Sequence, residues 1–147
     1  MSVRKMRILE TSINFTAQSY DIDTFGVVSN IVYVRWLEDL RMALTQALCP
    51  VINLLEQNFT SVIAETYIQY KNPMRFQDKA LGTVWIEDAT RAKWKIGAEL
   101  IEISSGQPVC TATQIGVFYN YSDKQIMQVP SLLQAFVNDM KRKNNGT

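Results

Sequence analysis

The chain of 147 residues contains no histidine. That absence removes Ser-His-Asp and Cys-His nucleophile systems, and with them histidine-ligated metals. Any catalysis must fall to carboxylates, hydroxyls, amides and backbone dipoles. Cysteine is nearly as scarce. Cys49 and Cys110 lie far apart, without the spacing of a disulfide framework or a metal knuckle, and read as two reduced, mostly buried thiols. No metal site is expected. No segment approaches the roughly 18 apolar residues that span a bilayer, and the opening "MSVRKMRILETS" lacks the apolar run of a signal peptide. The expectation is a cytoplasmic protein without membrane insertion. A charge excess is missing too: 15 Lys+Arg stand against 14 Asp+Glu, so no global field draws the chain to nucleic acid. No glycine-rich phosphate loop is present.

What the sequence does have is core material. With 47% hydrophobic residues it suits one domain spanning 1–147, with about 141–147, "KRKNNGT", as a flexible tail. Between Arg7 and Tyr20, Ile8, Ile13, Phe15 and Ala17 mark a half-buried strand. From Ser29 to Leu48, Tyr33, Trp36, Leu37, Leu40, Ala43, Leu44, Ala47 and Leu48 recur at steps of three and four, the mark of an amphipathic helix. Ser29 or Asn30 can cap it, and Pro50 limits it. Such a helix needs a sheet to lie against.

"VINLLEQN" predicts a short extra helical piece. Four β-rich runs follow: "SVIAETYIQYKN", "KALGTVWIED", "AKWKIGAELIEIS" and "PVCTATQIGVFYN". Their spacing predicts an antiparallel meander. The last run has apolar members on both faces, one to be covered by the helix and the other by a second subunit. Pro130 to Lys143 reads as a terminal helix. The fold class is α+β.

Within "DIDTFGVVSNIVYVRWLEDLR", Asp21, Asp23, Gly26, Val28, Tyr33, Trp36 and Glu38 form a pattern that, with the order of elements, resembles the hotdog-fold thioesterases. The likeness is to the group of 4-hydroxybenzoyl-CoA thioesterase and related short acyl-CoA thioesterases. A second block, "VIAETYIQYKNPMRFQD", matches through Tyr70, Pro73 and Asp78, and a third is "VCTATQIGVFYNYSDKQIMQVP". Relatives often carry a histidine or aromatic where this chain has Ser29 and Asn30, and a glycine where it has Gln77. The resemblance implies a five-stranded antiparallel sheet wrapped around one long central helix, with a short C-terminal helix. It also implies a homodimer or homotetramer.

Asp23 stands seven residues before Asn30, with Gly26 to turn the loop between them. A helix N-terminus offers unpaired N–H groups and a positive dipole end, which can polarise a thioester carbonyl. From the residues alone, Asp23 can equally cap its helix or close an Asx-turn. By resemblance it is the catalytic carboxylate, acting as nucleophile through a mixed anhydride or as general base for water, and the Asn30 N–H polarises the carbonyl. Gly26, Val28, Ser29 and Tyr33 are expected to bind substrate, whereas Trp36 reads as core and Asp21 as a turn or solvated residue. Glu38 is expected to pair with a neighbouring arginine. Arg91, Lys93 and Lys95, alternating with Trp94 on a strand, either grip the phosphates of CoA or form an ordinary solvated face. Lys71 and Arg75 are further candidates.

The implied activity is acyl-CoA thioester hydrolysis, with CoA as part of the substrate and no separate cofactor. The alternatives are an acyl-carrier-protein thioesterase, or a non-catalytic hotdog module that binds acyl groups or assembles with a partner. A hotdog dehydratase is disfavoured because such sites use histidine.

Overall fold

The computed structural model describes residues 6–50 and 58–145. Helix α1 (Asn30–Leu48) buries Val32, Tyr33, Trp36, Leu37, Leu40, Leu44 and Leu48 along one side. Ser29 is its N-cap, in the extended conformation that position requires. The apolar side lies on a sheet built from β1 (Ile8–Thr16), β2 (Phe59–Tyr70), β3 (Lys79–Ala89), β4 (Trp94–Glu102), β5 (Pro108–Asn120) and a short β6 (Gln125–Met127). Period-two alternation turns Trp94, Ile96 and Leu100 of β4 to the helix, all buried, while Lys95 faces away. Contact is close at Gly82, where a Cβ would meet Phe15, Leu100 and Leu40 side chains at 2.7, 2.9 and 3.1 Å. Trp36 is core as expected, stacked on Phe15 with ring centroids 4.8 Å apart.

The sheet order is β1-β3-β4-β5-β2, antiparallel throughout, with β6 added to β5. The expected meander therefore holds only from β3 onward. β2 crosses to the far edge and pairs with β5 from Phe59↔Asn120 to Tyr70↔Cys110. Burial explains the choice: Glu65, Tyr67 and Gln69 on β2 are exposed, which an edge strand tolerates, while β3 and β4 are mostly buried and take the middle. Hairpin-like spacing alone does not separate a tight turn from an eight-residue crossover such as 71–78.

Two further boundaries differ from the sequence reading. The first strand ends at Thr16, and Ser19–Asp21 forms a single 3-10 turn. Helix α2 (Ser131–Asn145) runs through 141–145 of the expected tail, with Leu133 and Val137 buried and Lys141 paired to Asp88 on β3. The helical piece expected in "VINLLEQN", residues 51–58, lies outside the described residues except for Asn58.

On the sheet face away from α1, the Arg7 guanidinium sits 3.9 Å over the Trp85 ring and bonds Glu99 at 2.9 Å. Lys95 pairs with Glu87 at 3.5 Å. No described helix is long and apolar enough to cross a membrane.

Candidate active site

The loop between the 3-10 turn and α1 is fixed by its own backbone. Asp21 is buried, and its Oδ2 accepts the Gln18 N–H at 2.8 Å while its carbonyl accepts the Ser29 N–H at 2.9 Å. It closes a turn, as expected, but is not solvated. Ile22 and Val28 form a bridge, the Asp23 N–H donates to Val27 O at 2.8 Å, and the Gly26 N–H donates to Asp23 O at 3.1 Å. Gly26 has φ +80°, a left-handed conformation that side chains disfavour. Asp23 Oδ1 accepts the Phe25 N–H at 2.8 Å and the Val27 N–H at 3.4 Å. Asp23 Oδ2 has no partner among the described residues.

At the helix end, Ser29 Oγ accepts the Ile31 N–H at 3.4 Å. The Asn30 N–H, first in the helix, has no intrahelical partner by position and finds no acceptor among the described residues. It lies at the positive end of the α1 dipole.

A second wall comes from the end of β2 and the turn after it. The Val28 N–H donates to Met74 O at 2.8 Å, and the Met74 N–H donates to Tyr33 Oη at 3.3 Å in a buried setting. Lys71 N–H holds Val109 O at 2.8 Å, and Asn72 Nδ2 holds Pro108 O at 2.7 Å. Between the walls is a cleft of about 180 Å³, lined by Val27, Val28, Asn30 and Tyr33 on one side and by Tyr70, Lys71, Asn72 and Pro73 on the other. The Tyr33 and Tyr70 rings stand 5.9 Å apart. Burial pushes the Tyr33 hydroxyl up to about 12, so it keeps its proton at neutral pH.

A sequence profile of the thioesterase-like superfamily matches residues 18–137. The chain belongs to the thioesterase-like superfamily. It matches no curated protein in sequence. Among solved structures it resembles a gentisyl-coenzyme A thioesterase, with TM-score 0.73 and 19% identity over 86% of this chain and 99% of that one. The DHNA-CoA thioesterase from Staphylococcus aureus gives 0.75 and 16%, covering 94% and 95%. The 12:0-ACP thioesterase from Umbellularia californica gives 0.77 and 11%, covering 89% of this chain and 50% of that one. These likenesses are likenesses of fold. The hotdog architecture and the thioesterase family expected from the sequence are both present, and by family this is a thioester hydrolase.

In this thioesterase-family chain the cleft gathers Val28, Asn30 and Tyr33, with Ser29 behind them as the cap and Gly26 in the adjoining loop. Asp23 stands exposed beside the cleft and is not part of its wall. Exposed apolar side chains occur nearby in sequence: Phe25, whose N–H bonds Asp23, is 88% exposed, Tyr20 in the preceding 3-10 turn 82%, and Ile31 in the first turn of α1 64%.

Arg91, Lys93 and Lys95 do not share a strand face. Arg91 and Lys93 sit in the turn closed by Thr90 N–H to Lys93 O at 2.8 Å, and only Lys95 belongs to β4. Their neighbour Trp94 packs against the later half of α1, lining a separate hollow with Arg41, Met42 and Thr45, about 18 Å along the helix from Asn30. Glu38 pairs with Arg41, as expected.

Tyr70 and Asn72 are cleft residues that the sequence pattern does not place in the site, and Lys71 joins them from among the further candidates. Tyr70 and Pro73 stand in the second matching block, yet only the β2–β5 pairing carries that block over the start of α1.

Proposed function

We propose that the chain hydrolyses an acyl-CoA or acyl-carrier-protein thioester at the cleft where α1 begins. The observation that carries this reading is the unpartnered Asn30 N–H in the cleft wall, at the positive end of a helix of 19 residues. A thioester carbonyl oxygen placed there gains a preorganised donor as negative charge develops on it. Asp23, on the neighbouring loop, has one carboxylate oxygen tied to loop amides and the other available for chemistry. That oxygen either attacks the carbonyl carbon, forming a mixed anhydride that water then cleaves, or takes a proton from an attacking water. In both routes the carbon–sulfur bond breaks and the thiol leaves.

A second copy completes this site in the proposal, as a homodimer or a homotetramer. Support comes from the uncovered Tyr20, Phe25 and Ile31, in the segment that leads into and opens α1, and from the outer edge of β2, unpaired among the described residues. Lys71 at the cleft is the residue placed to meet a phosphate of CoA, while Arg91, Lys93 and Lys95 reach one only if another copy presents them. The thioesterases of similar fold are named for both CoA and carrier-protein substrates, so either carrier fits. Free Cys49 and Cys110 fit a reducing, cytoplasmic setting.

One observation favours a second reading, an acyl-binding module without turnover. Asp23 Oδ1 is occupied by its own loop, as a purely structural Asx-turn would have it. Thiol release from short, medium, long and aryl acyl-CoAs, and from the matching carrier-protein thioesters, separates the two. Release supports hydrolysis; saturable acyl-CoA binding with no release supports the module.

A further inference from the structure

The geometry points to Tyr33 as a positioning residue whose hydroxyl, acting through the Met74 backbone, sets where the Asp23 loop stands relative to the Asn30 N–H. Met74 is held from both sides. Its N–H donates to Tyr33 Oη at 3.3 Å, and its carbonyl accepts the Val28 N–H at 2.8 Å. Val28 bridges to Ile22, and that pair frames Asp23. The same turn also grips the chain just before the loop, with Ala17 N–H to Asp78 O at 2.9 Å and Gln77 N–H to Ala17 O at 3.0 Å. The Asp23 loop is thus suspended at both ends from residues 74–78. Among the described residues, the hydrogen bond that ties this turn to α1 through a side chain is the one at Tyr33.

Burial gives that single bond its leverage. Met74 is fully buried and Tyr33 is 3% exposed, so water does not replace a lost partner. The Tyr33 ring is fixed independently, edge-on to Trp36 at 5.6 Å and against Tyr70 at 5.9 Å. Tyr33→Phe therefore keeps the packing and deletes only the strut. The Met74 N–H loses its acceptor, the turn shifts, and the carboxylate moves with it. The Asn30 N–H stays in place because the Ser29 cap holds the helix start.

The kinetic arm of the test rests on the hydrolase reading; the structural arm does not. With a hydrolysed thioester, Tyr33→Phe is expected to lower kcat by about 10- to 100-fold, with KM within about twofold. Leu44→Val, a core change far from the turn, is expected to lower Tm and leave kcat unchanged. By hydrogen exchange, the Val28 and Met74 amides of Tyr33→Phe are expected to exchange faster than in wild type, while α1 amides beyond Leu37 do not change. A wild-type kcat in Tyr33→Phe, or an effect on KM alone, overturns the inference, as does unchanged exchange at Val28 and Met74. If the wild type cleaves no thioester, the hydrolase reading fails on that ground and the exchange result alone decides the strut.

Discussion

Asp23 Oδ1 accepts the Phe25 N–H at 2.8 Å, so the carboxylate proposed for chemistry also holds closed the loop it stands in. The two roles separate by substitution. Asp23→Asn keeps an oxygen for the Phe25 N–H and removes the charge; Asp23→Ala removes both. Asp23→Asn is expected to fold with a near wild-type Tm and to lose at least about 100-fold in kcat. Asp23→Ala should lose as much activity and, in addition, roughly 0.5–1.5 kcal/mol of stability. An Asp23→Asn protein that turns over at the wild-type rate removes the carboxylate from the mechanism.

The Asn30 role is a backbone role, which proline tests directly. Proline is favoured at the first helical position and lacks only the N–H. The residue before it must be extended, and Ser29 already is, at φ −63° and ψ 141°. Asn30→Pro is therefore expected to fold normally and to lose about 10²- to 10³-fold in kcat, while Asn30→Ala retains most of the rate. Circular dichroism and steady-state kinetics on the two variants check it. Equal activity in both would show that this amide does not carry the developing charge.

Much of the fold around this site is legible in the sequence. The spacing of Tyr33, Trp36, Leu37, Leu40 and Leu44 marked α1, because a single buried stripe leaves a strong period in the sequence. Gly26 between a carboxylate and a helix start is a local turn signal, and its positive φ agrees with it, whereas catalytic roles for Asp23 and Asn30 come only from the family resemblance. The place of β2 was not legible. Its pairing with β5 is decided by which strands tolerate exposure, a competition among segments up to 61 residues apart, as in Phe59↔Asn120. The second wall of the cleft depends on that pairing, so Tyr70 to Pro73 could not be placed from local pattern. The same limit explains Arg91 and Lys93: alternation around Trp94 suggested a strand, but the backbone turns through Thr90–Lys93 and the strand begins one residue later.

Gly116 marks a tight spot far along α1 from the cleft. A Cβ there would lie 2.3 Å from Trp94 Nε1 and 3.0 Å from Ser61 Oγ, between two groups that bond each other at 2.8 Å. Trp94 is buried and packs on Phe118 with ring centroids 5.7 Å apart, so it has little room to retreat. Gly116→Ala is expected to destabilise by about 1–3 kcal/mol through overpacking. Ser61→Ala, which strands the indole N–H, should cost a similar amount. Urea denaturation measures both. A double variant costing no more than Gly116→Ala alone would show that the methyl acts by breaking this one bond.

Tyr33 and Cys110 predict how stability responds to alkali. Burial pushes both groups up to about 12, from ordinary values of 10.0 and 9.0. Below about pH 8 both are protonated in folded and unfolded chains alike, so they contribute no pH dependence. Between there and about pH 12 the unfolded chain releases protons that the folded chain retains, and stability falls as pH rises. The informative quantity is a difference between two proteins that share every other side chain. Cys110→Ala removes one of the two groups at the cost of a small, pH-independent cavity term. Its loss of stability from pH 8.5 to 11 is therefore expected to be shallower than that of the wild type, and the two urea midpoints should converge as pH rises. Curves that stay parallel across that range would mean that the Cys110 thiol ionises as freely in the folded chain as in the unfolded one, against its burial beneath the sheet.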